Sequence, residues 1–316
     1  MTDSQEQALR RTLIKWAGGT LAAGASLGLI GCGGETVDGS GMTGGGSGSA
    51  GGGVDSGSPG NNGGGNSEGG SEGSGSEGQV DKITSDVAGD EWASGGTAAL
   101  KAPFPPENPF EAGLGKVCRV TPSYTLGPCY FNPDDYRQDI SEGELGVPMI
   151  LVFKLVDKSC KPVANADVDI WHTNAEGLYS GNASGSSDAS EFAPDFCTSS
   201  DNRAMNSRWF RGVQKTDAQG MAYFKSCFPG WYPGRTTHIH FKIVHQNKAS
   251  LISQFCFEDK LSNQIYKKHG DYTGKAKDTL NKNDGVFSGD FEELCFYIKA
   301  NPDLSMTAYK AIQIDA

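Results

Sequence analysis

The stretch "PGWYPGRTTHIHFKI", residues 229–243, sets a tyrosine, an arginine and two histidines within a dozen positions. In a strand, residues two apart project to the same side, so His238 and His240 point together while Ile239, Phe241 and Ile243 face apolar packing. Two imidazoles on one face make half of a metal site. His245 lies at odd spacing from both and points away, which disfavours a three-histidine zinc site. Ahead of the strand, the tight turn Pro229-Gly230-Trp231-Tyr232-Pro233-Gly234 positions Tyr232 and Arg235 beside the histidines. A phenolate is a hard anionic donor whose pKa, about 10 when free, must be lowered by the metal, and a trivalent ion does this far better than a divalent one. Two phenolates and two neutral imidazoles would hold iron(III). The second tyrosine is offered by "VDIWHTNAEGLYSG", where Tyr179 follows a strand ending near His172 and a flexible turn from Asn174 to Gly177.

Other residues near these motifs have plainer readings. Trp171 reads as packing and His172 as a hydrogen-bond partner, both at a strand end. Asn174 and Gly177 shape the turn that presents Tyr179, and Asp217 with Gly220 in "TDAQG" reads as a hairpin turn. Arg211, with Gly212 and Gln214, reads as a motif near the site, and a turn with a salt bridge explains Arg211 nearly as well.

The elements that must carry the site are short strands. "PMILVFKLVD", "ADVDIWH", "MAYFKS", "THIHFKIV", "LISQFCF" and "MTAYKAIQI" are apolar runs of two-residue period, divided by turn residues. The predicted class is all-β, two sheets packed as a sandwich. One helix is expected in "EDKLSNQIYKKHG", closed by Gly270, and a turn or strand in "FEELCFYIKA". Residues 98–147, with Pro103, Pro105, Pro106 and Pro109, read as an extended arm that wraps the domain.

Of the 316 residues, the first third is of another kind. Paired Arg10 and Arg11 precede a weakly apolar Gly/Ala/Leu stretch ending in Leu29-Ile30-Gly31-Cys32, so residues 1–32 read as a twin-arginine-type lipoprotein signal with Cys32 as the lipidated residue. Residues 33–97, rich in Gly and Ser, offer next to nothing apolar to offset the entropy of ordering a backbone and form a flexible linker. The folded domain is then 98–316, expected outside the cytoplasm, periplasmic or at the cell surface, and tethered to a membrane through Cys32. The net charge of −11 argues against nucleic acid as a partner. Setting Cys32 aside, seven of the eight cysteines remain, with no C-x-x-C pair among them. They allow up to three disulfides and one cysteine left over, in pairings the sequence does not fix.

Residues 168–180 and 211–243, together with the upstream "TPSYTLGPCYF", resemble the core of the intradiol ring-cleavage dioxygenases, the catechol and protocatechuate enzymes of non-haem iron(III). The resemblance implies a prealbumin-like two-sheet β-sandwich. It implies Tyr179 as the equatorial tyrosinate, Tyr232 as the axial tyrosinate that arriving substrate displaces, His238 and His240 as the imidazole ligands, and Arg235 as the residue that stabilises bound catecholate. The implied reaction opens a catecholic ring with dioxygen to a muconate-type diacid. Three departures limit the transfer: only five residues separate Tyr232 from His238, where the best-known members have a longer pocket-lining segment; their N-terminal helical dimerisation region is missing; and an export signal is present. Substrate specificity and oligomeric state therefore do not carry over, and a tethered β-sandwich that binds metal or aromatic ligands without turnover stands as the alternative.

Overall fold

A computed structural model describes residues 91–111, 113, 120–287 and 291–315. The signal, Cys32 and the linker up to residue 90 lie outside the described residues. Eight strands form two four-stranded sheets: β1 (Pro148–Val156), β2 (Asp167–Trp171), β3 (Arg211–Lys215), β4 (Met221–Cys227), β5 (His238–His245), β6 (Lys248–Cys256), β7 (Tyr297–Ala300) and β8 (Met306–Gln313). One sheet runs β4-β1-β8-β7 and the other β3-β2-β5-β6. All pairings are antiparallel except β1 with β8. The two-sheet class expected from the alternation is the one observed, and the six predicted strands are present. The strand β3 adds to them.

Alternation explains where the core sits. Leu151, Phe153 and Leu155 of β1, Phe224 of β4 and Ala308 and Ile312 of β8 meet Val168 and Ile170 of β2, Ile239, Phe241 and Ile243 of β5 and Phe255 of β6 in one buried cluster. Phe153 lies at its centre, with ring contacts to Phe224, Phe241, Phe255 and Phe296. Truncating such a side chain to alanine costs about 3–5 kcal/mol. Each sheet then has an outer face to cover. The proline-rich arm covers that of the first, setting Phe110, Leu100, Ala102 and Phe104 against Ile150, Val152 and Met221. The outer face of the second carries the functional candidates.

Several local expectations change. Trp92 joins the main core and the Ala93 amide donates to the Leu304 carbonyl, so the folded unit reaches N-terminally of the boundary at 98 drawn from composition. The "TDAQG" turn is tight, with Asp217 Oδ1 accepting from the amides of Gln219 and Met221, but it joins β3 of one sheet to β4 of the other and so is not a hairpin. Two short helices, α1 (Pro194–Thr198) and α2 (Asn202–Met205), carry no amphipathic signal long enough to read. The expected helix is α3 (Asp259–Lys268), which buries Ser262, Ile265 and Tyr266 on one face. Asp259 in its first turn and Lys267 and Lys268 in its last complement the helix dipole. "FEELCFYIKA" supplies both a 3₁₀ turn, Phe291–Leu294, and strand β7. No helix among the described residues is long and apolar enough to cross a membrane.

Candidate functional site

On the outer face of the second sheet, β5 turns His238 and His240 away from the core, as its period requires. Their Nε2 atoms lie 3.1 Å apart. The Tyr179 hydroxyl is 3.3 Å and the Tyr232 hydroxyl 3.4 Å from His238 Nε2. The structure thus brings together all four residues picked out as a donor set. These separations are those of ligands bound at about 2.0–2.2 Å from a common ion. His245 lies five residues beyond His240, about 16 Å along the strand and past a register irregularity at Ile243/Val244, so it takes no part. Among the described residues no three or more His, Cys, Asp or Glu gather into a metal-holding group, so a metal here depends on the tyrosines.

Each side chain is aimed by its neighbours. His238 Nδ1 meets the Thr236 carbonyl at 2.6 Å, which fixes the proton on Nδ1 and leaves the Nε2 lone pair facing the cluster. The His240 ring is stacked on the Trp171 indole at 4.8 Å and 12°. Trp171 is packing, as expected, but its packing orients a donor. Tyr179 follows a turn that is buried except at Glu176 and closed by several hydrogen bonds, unlike the flexible one expected. Asn174 Oδ1 accepts from the amides of Glu176 and Leu178, and the Gly177 amide donates to the Asn174 carbonyl. Gly177 has φ of +83°, and a Cβ there would overlap the Trp231 carbonyl. His172 is the hydrogen-bond partner anticipated, bridging Thr173 O and Ser226 Oγ.

Of the two readings of Arg211, the structure favours the place near the site over a turn with a salt bridge. Arg211 is buried in β3, donates to the carbonyls of Cys129 and Ser180 and lies over the Phe131 ring at 4.0 Å. The guanidinium thereby ties the Tyr179-Ser180 backbone to the entry segment. Burial lowers its pKa to about 9, which still leaves it charged at neutral pH.

The short connection from Tyr232 to His238 does not leave the site open, because His238 and His240 are each 3% exposed. A segment far downstream supports the connection. The Trp231 indole donates to the Lys275 carbonyl, the Gly234 amide to Asp278 and the Thr236 amide to Asp284. Arg235 is an ion-pair partner and a site residue at once. Its Nε bonds both oxygens of Asp284 at 2.9 and 3.2 Å, one terminal nitrogen reaches Gln254 Oε1 at 2.5 Å, and the other points at the Tyr232 hydroxyl at 3.5 Å. Sequence reasoning missed Asp284 and Gln254. Gln254 pairs with His240 across β5 and β6, so strand register could have found it. Asp284 lies in a loop 49 residues beyond Arg235, and nothing in its spacing announces it.

Without a cation, burial keeps the donors neutral. It lowers the His238 pKa to about 3, helped by Arg235, and holds the His240 pKa well below its ordinary value, helped by His238. Burial and the neighbouring Tyr232 push Tyr179 well above its ordinary value; burial also raises Tyr232, opposed by Arg235. Two neutral imidazoles are ready lone-pair donors, while two buried phenols ionise only if a strong positive charge sits among them. The donor set therefore fits a highly charged hard ion. Burial also works against the charge of Arg235, but Tyr232 and Asp284 outweigh it and hold its pKa above the ordinary value. Over the cluster lies a cavity of about 50 Å³, lined by Gly127, Pro128, Cys129, Phe196 and the site residues. The Cys129–Cys197 disulfide, S–S 2.02 Å, joins the two walls.

A family model described as "Dioxygenase" matches residues 120–280, half of the chain. A solved structure described as an intradiol ring-cleavage dioxygenase from Tetranychus urticae superposes with a TM-score of 0.52 at 28% identity, covering 63% of this chain and 95% of that one. A second dioxygenase structure gives 0.53 at 28% identity with the same coverage. Among curated proteins, "Catechol 1,2-dioxygenase 1" of Acinetobacter lwoffii is 27% identical over 138 residues, a match spanning 38% of this chain and 39% of that enzyme. The chain belongs to the intradiol ring-cleavage dioxygenase family.

Proposed function

We propose that this protein is an iron(III)-dependent dioxygenase that opens a catecholic ring between its two hydroxyl-bearing carbons and releases a muconate-type diacid. The observation that carries the reading is the convergence of Tyr179, Tyr232, His238 and His240 within 3.1–3.4 Å of one another along the contacts to His238, with Arg235 beside them. Those four residues would hold the iron. When bound, iron(III) supplies the Lewis acidity that lets a catechol bind as its dianion and makes the ring reactive toward dioxygen.

The chain's own residues divide the remaining work. Tyr179, His238 and His240 are buried and braced, so they stay. Tyr232 is half-buried on an outer turn, and the cavity above the cluster is too small for a ring with two hydroxyls, so Tyr232 is the group that swings aside. As it swings aside, its phenolate oxygen takes one of the two protons that the incoming catechol sheds, and the other passes to solvent. Arg235, pinned by Asp284 and Gln254, keeps positive charge where substrate oxygen and then the opening ring carry negative charge. Phe196 and Pro128 exclude water over the site and set the face against which the ring lies.

The signal-like residues 1–32 support action outside the cytoplasm, tethered through Cys32. Purified chain reconstituted with iron and given unsubstituted catechol under isotopically labelled dioxygen should consume one dioxygen per catechol and place both labelled atoms in the diacid. A reconstituted protein that binds catechol and consumes no dioxygen would instead support a binding module.

A further inference from the structure

We infer that Cys256 and Cys295 form a redox site, a thiol pair that closes into a disulfide clasp behind the metal-site residues. Their Sγ atoms are 2.9 Å apart, closer than unbonded sulfurs normally approach. The backbones already hold the pair in place. Cys256 and Cys295 form a parallel β-bridge, and the Phe296 amide donates to the Cys256 carbonyl at 2.9 Å. Neighbouring bridged strands lie about 4.7–4.9 Å apart, inside the range a disulfide spans, so closing the sulfurs to about 2.05 Å needs little more than side-chain rotation. Neither thiol has a better partner among the described residues. Cys129, Cys197 and Cys160 are disulfide-bonded, and Cys227 lies buried at 3.6 Å from the Glu144 carbonyl.

The pair is also reachable. Cys295 opens on a cavity of about 250 Å³ lined by Asp259, Asn281, Glu292 and Tyr297, which shares no lining residue with the cavity over the tyrosine–histidine cluster. Exchange begins there: a Cys295 thiolate attacks the disulfide of an oxidant such as oxidised glutathione or a thiol–disulfide oxidoreductase, giving a mixed disulfide and one released thiol. Buried Cys256 then displaces the second thiol. Two S–H bonds break and one S–S bond forms. The two protons are released to solvent or the leaving thiolates, and the electron pair reduces the oxidant.

The clasp reaches the site through a short chain of contacts. Cys256 stands opposite His238 in the β5–β6 register. Asn281 donates to Cys295 Sγ at 3.6 Å and to the Phe257 carbonyl, and accepts from Thr236 Oγ1. The Thr236 carbonyl accepts a hydrogen bond from His238 Nδ1. Closing the disulfide therefore locks the downstream segment, with Asn281 and Asp284, onto the strand that aims His238. This inference stands apart from the ring-cleavage reading, because its test measures cysteine chemistry and melting.

The full-length chain would be equilibrated with oxidised glutathione, alkylated in denaturant and digested with trypsin without reduction. Residues 249–260 and 283–299 are tryptic peptides with one cysteine each. They should appear linked, two hydrogens lighter than the separate thiols, while the peptide holding Cys227 is alkylated. The oxidised wild type should also melt about 5–10 °C above Cys295→Ser. Alkylation of both cysteines after oxidation, linkage of Cys295 to Cys227, or equal melting temperatures would each overturn the inference.

Discussion

The two turns that deliver a tyrosine to the histidine pair are built in opposite ways. Tyr179, 3% exposed, follows a buried turn closed by Asn174 and Gly177, and its backbone is tied down by Arg211. Tyr232 lies on a proline-bounded turn whose Trp231, Pro233 and Gly234 are partly or fully exposed, and its backing comes from a segment far downstream. A ligand that stays needs a scaffold that cannot move, and one that leaves needs a scaffold that can. The difference teaches that two residues of one type at one metal are given separate roles by the backbone beneath them.

The sharpest way to break this comparison is to remove each hydroxyl in turn. Tyr179→Phe should weaken iron binding by more than the roughly 10–100-fold that loss of an outer-shell partner costs. Tyr232→Phe should keep most of the iron and slow turnover; iron retained after dialysis against a chelator measures both, and the reverse order would sink the distinction. Next in size is the support beneath the mobile turn. Asp284→Ala strands the buried Arg235 and should cost about 3–5 kcal/mol in urea unfolding. Burial raises the Asp284 pKa, but Arg235 and the backbone amides outweigh it and leave it below the ordinary value. Its stabilisation is therefore full above the unfolded pKa of about 3.9 and is lost as pH falls through the lower folded value, a limb that Asp284→Asn should remove from an acid titration.

Arg235→Lys gives Asp284 a counter-charge yet lacks the nitrogen aimed at the Tyr232 hydroxyl. Turnover should fall by about 10²–10³ with iron content unchanged, and a parallel loss of iron would make Arg235 a structural residue only. The smallest effect tests the fixed turn. Gly177→Ala forces a left-handed residue against the Trp231 carbonyl and should cost about 1–3 kcal/mol of stability, read from the urea midpoint.

Much of this site is legible in the amino-acid sequence, and the limit is physical. Period two along "HIHFKI" separates His238 and His240 from Ile239, Phe241 and Ile243, because a strand buried on one side must alternate. The turn holding Tyr179 shows itself in Asn174 and Gly177. What stays hidden depends on contacts distant in sequence. Asp284 matters only because the loop after α3 folds back on Arg235, and the role of Arg211 stays open in the sequence because its partners are carbonyls and a ring, which leave no charge pattern. The cysteine pairing is open for the same reason: Cys256 and Cys295, on β6 and ahead of β7, meet only once both are folded.

The most direct test of the account is the visible spectrum of the purified, iron-reconstituted chain before and after anaerobic addition of catechol. The account predicts a broad tyrosinate-to-iron(III) charge-transfer band that shifts when catechol binds, with the initial band reduced in Tyr232→Phe and absent in Tyr179→Phe. A protein that stays colourless after reconstitution, or whose band ignores catechol, would contradict it.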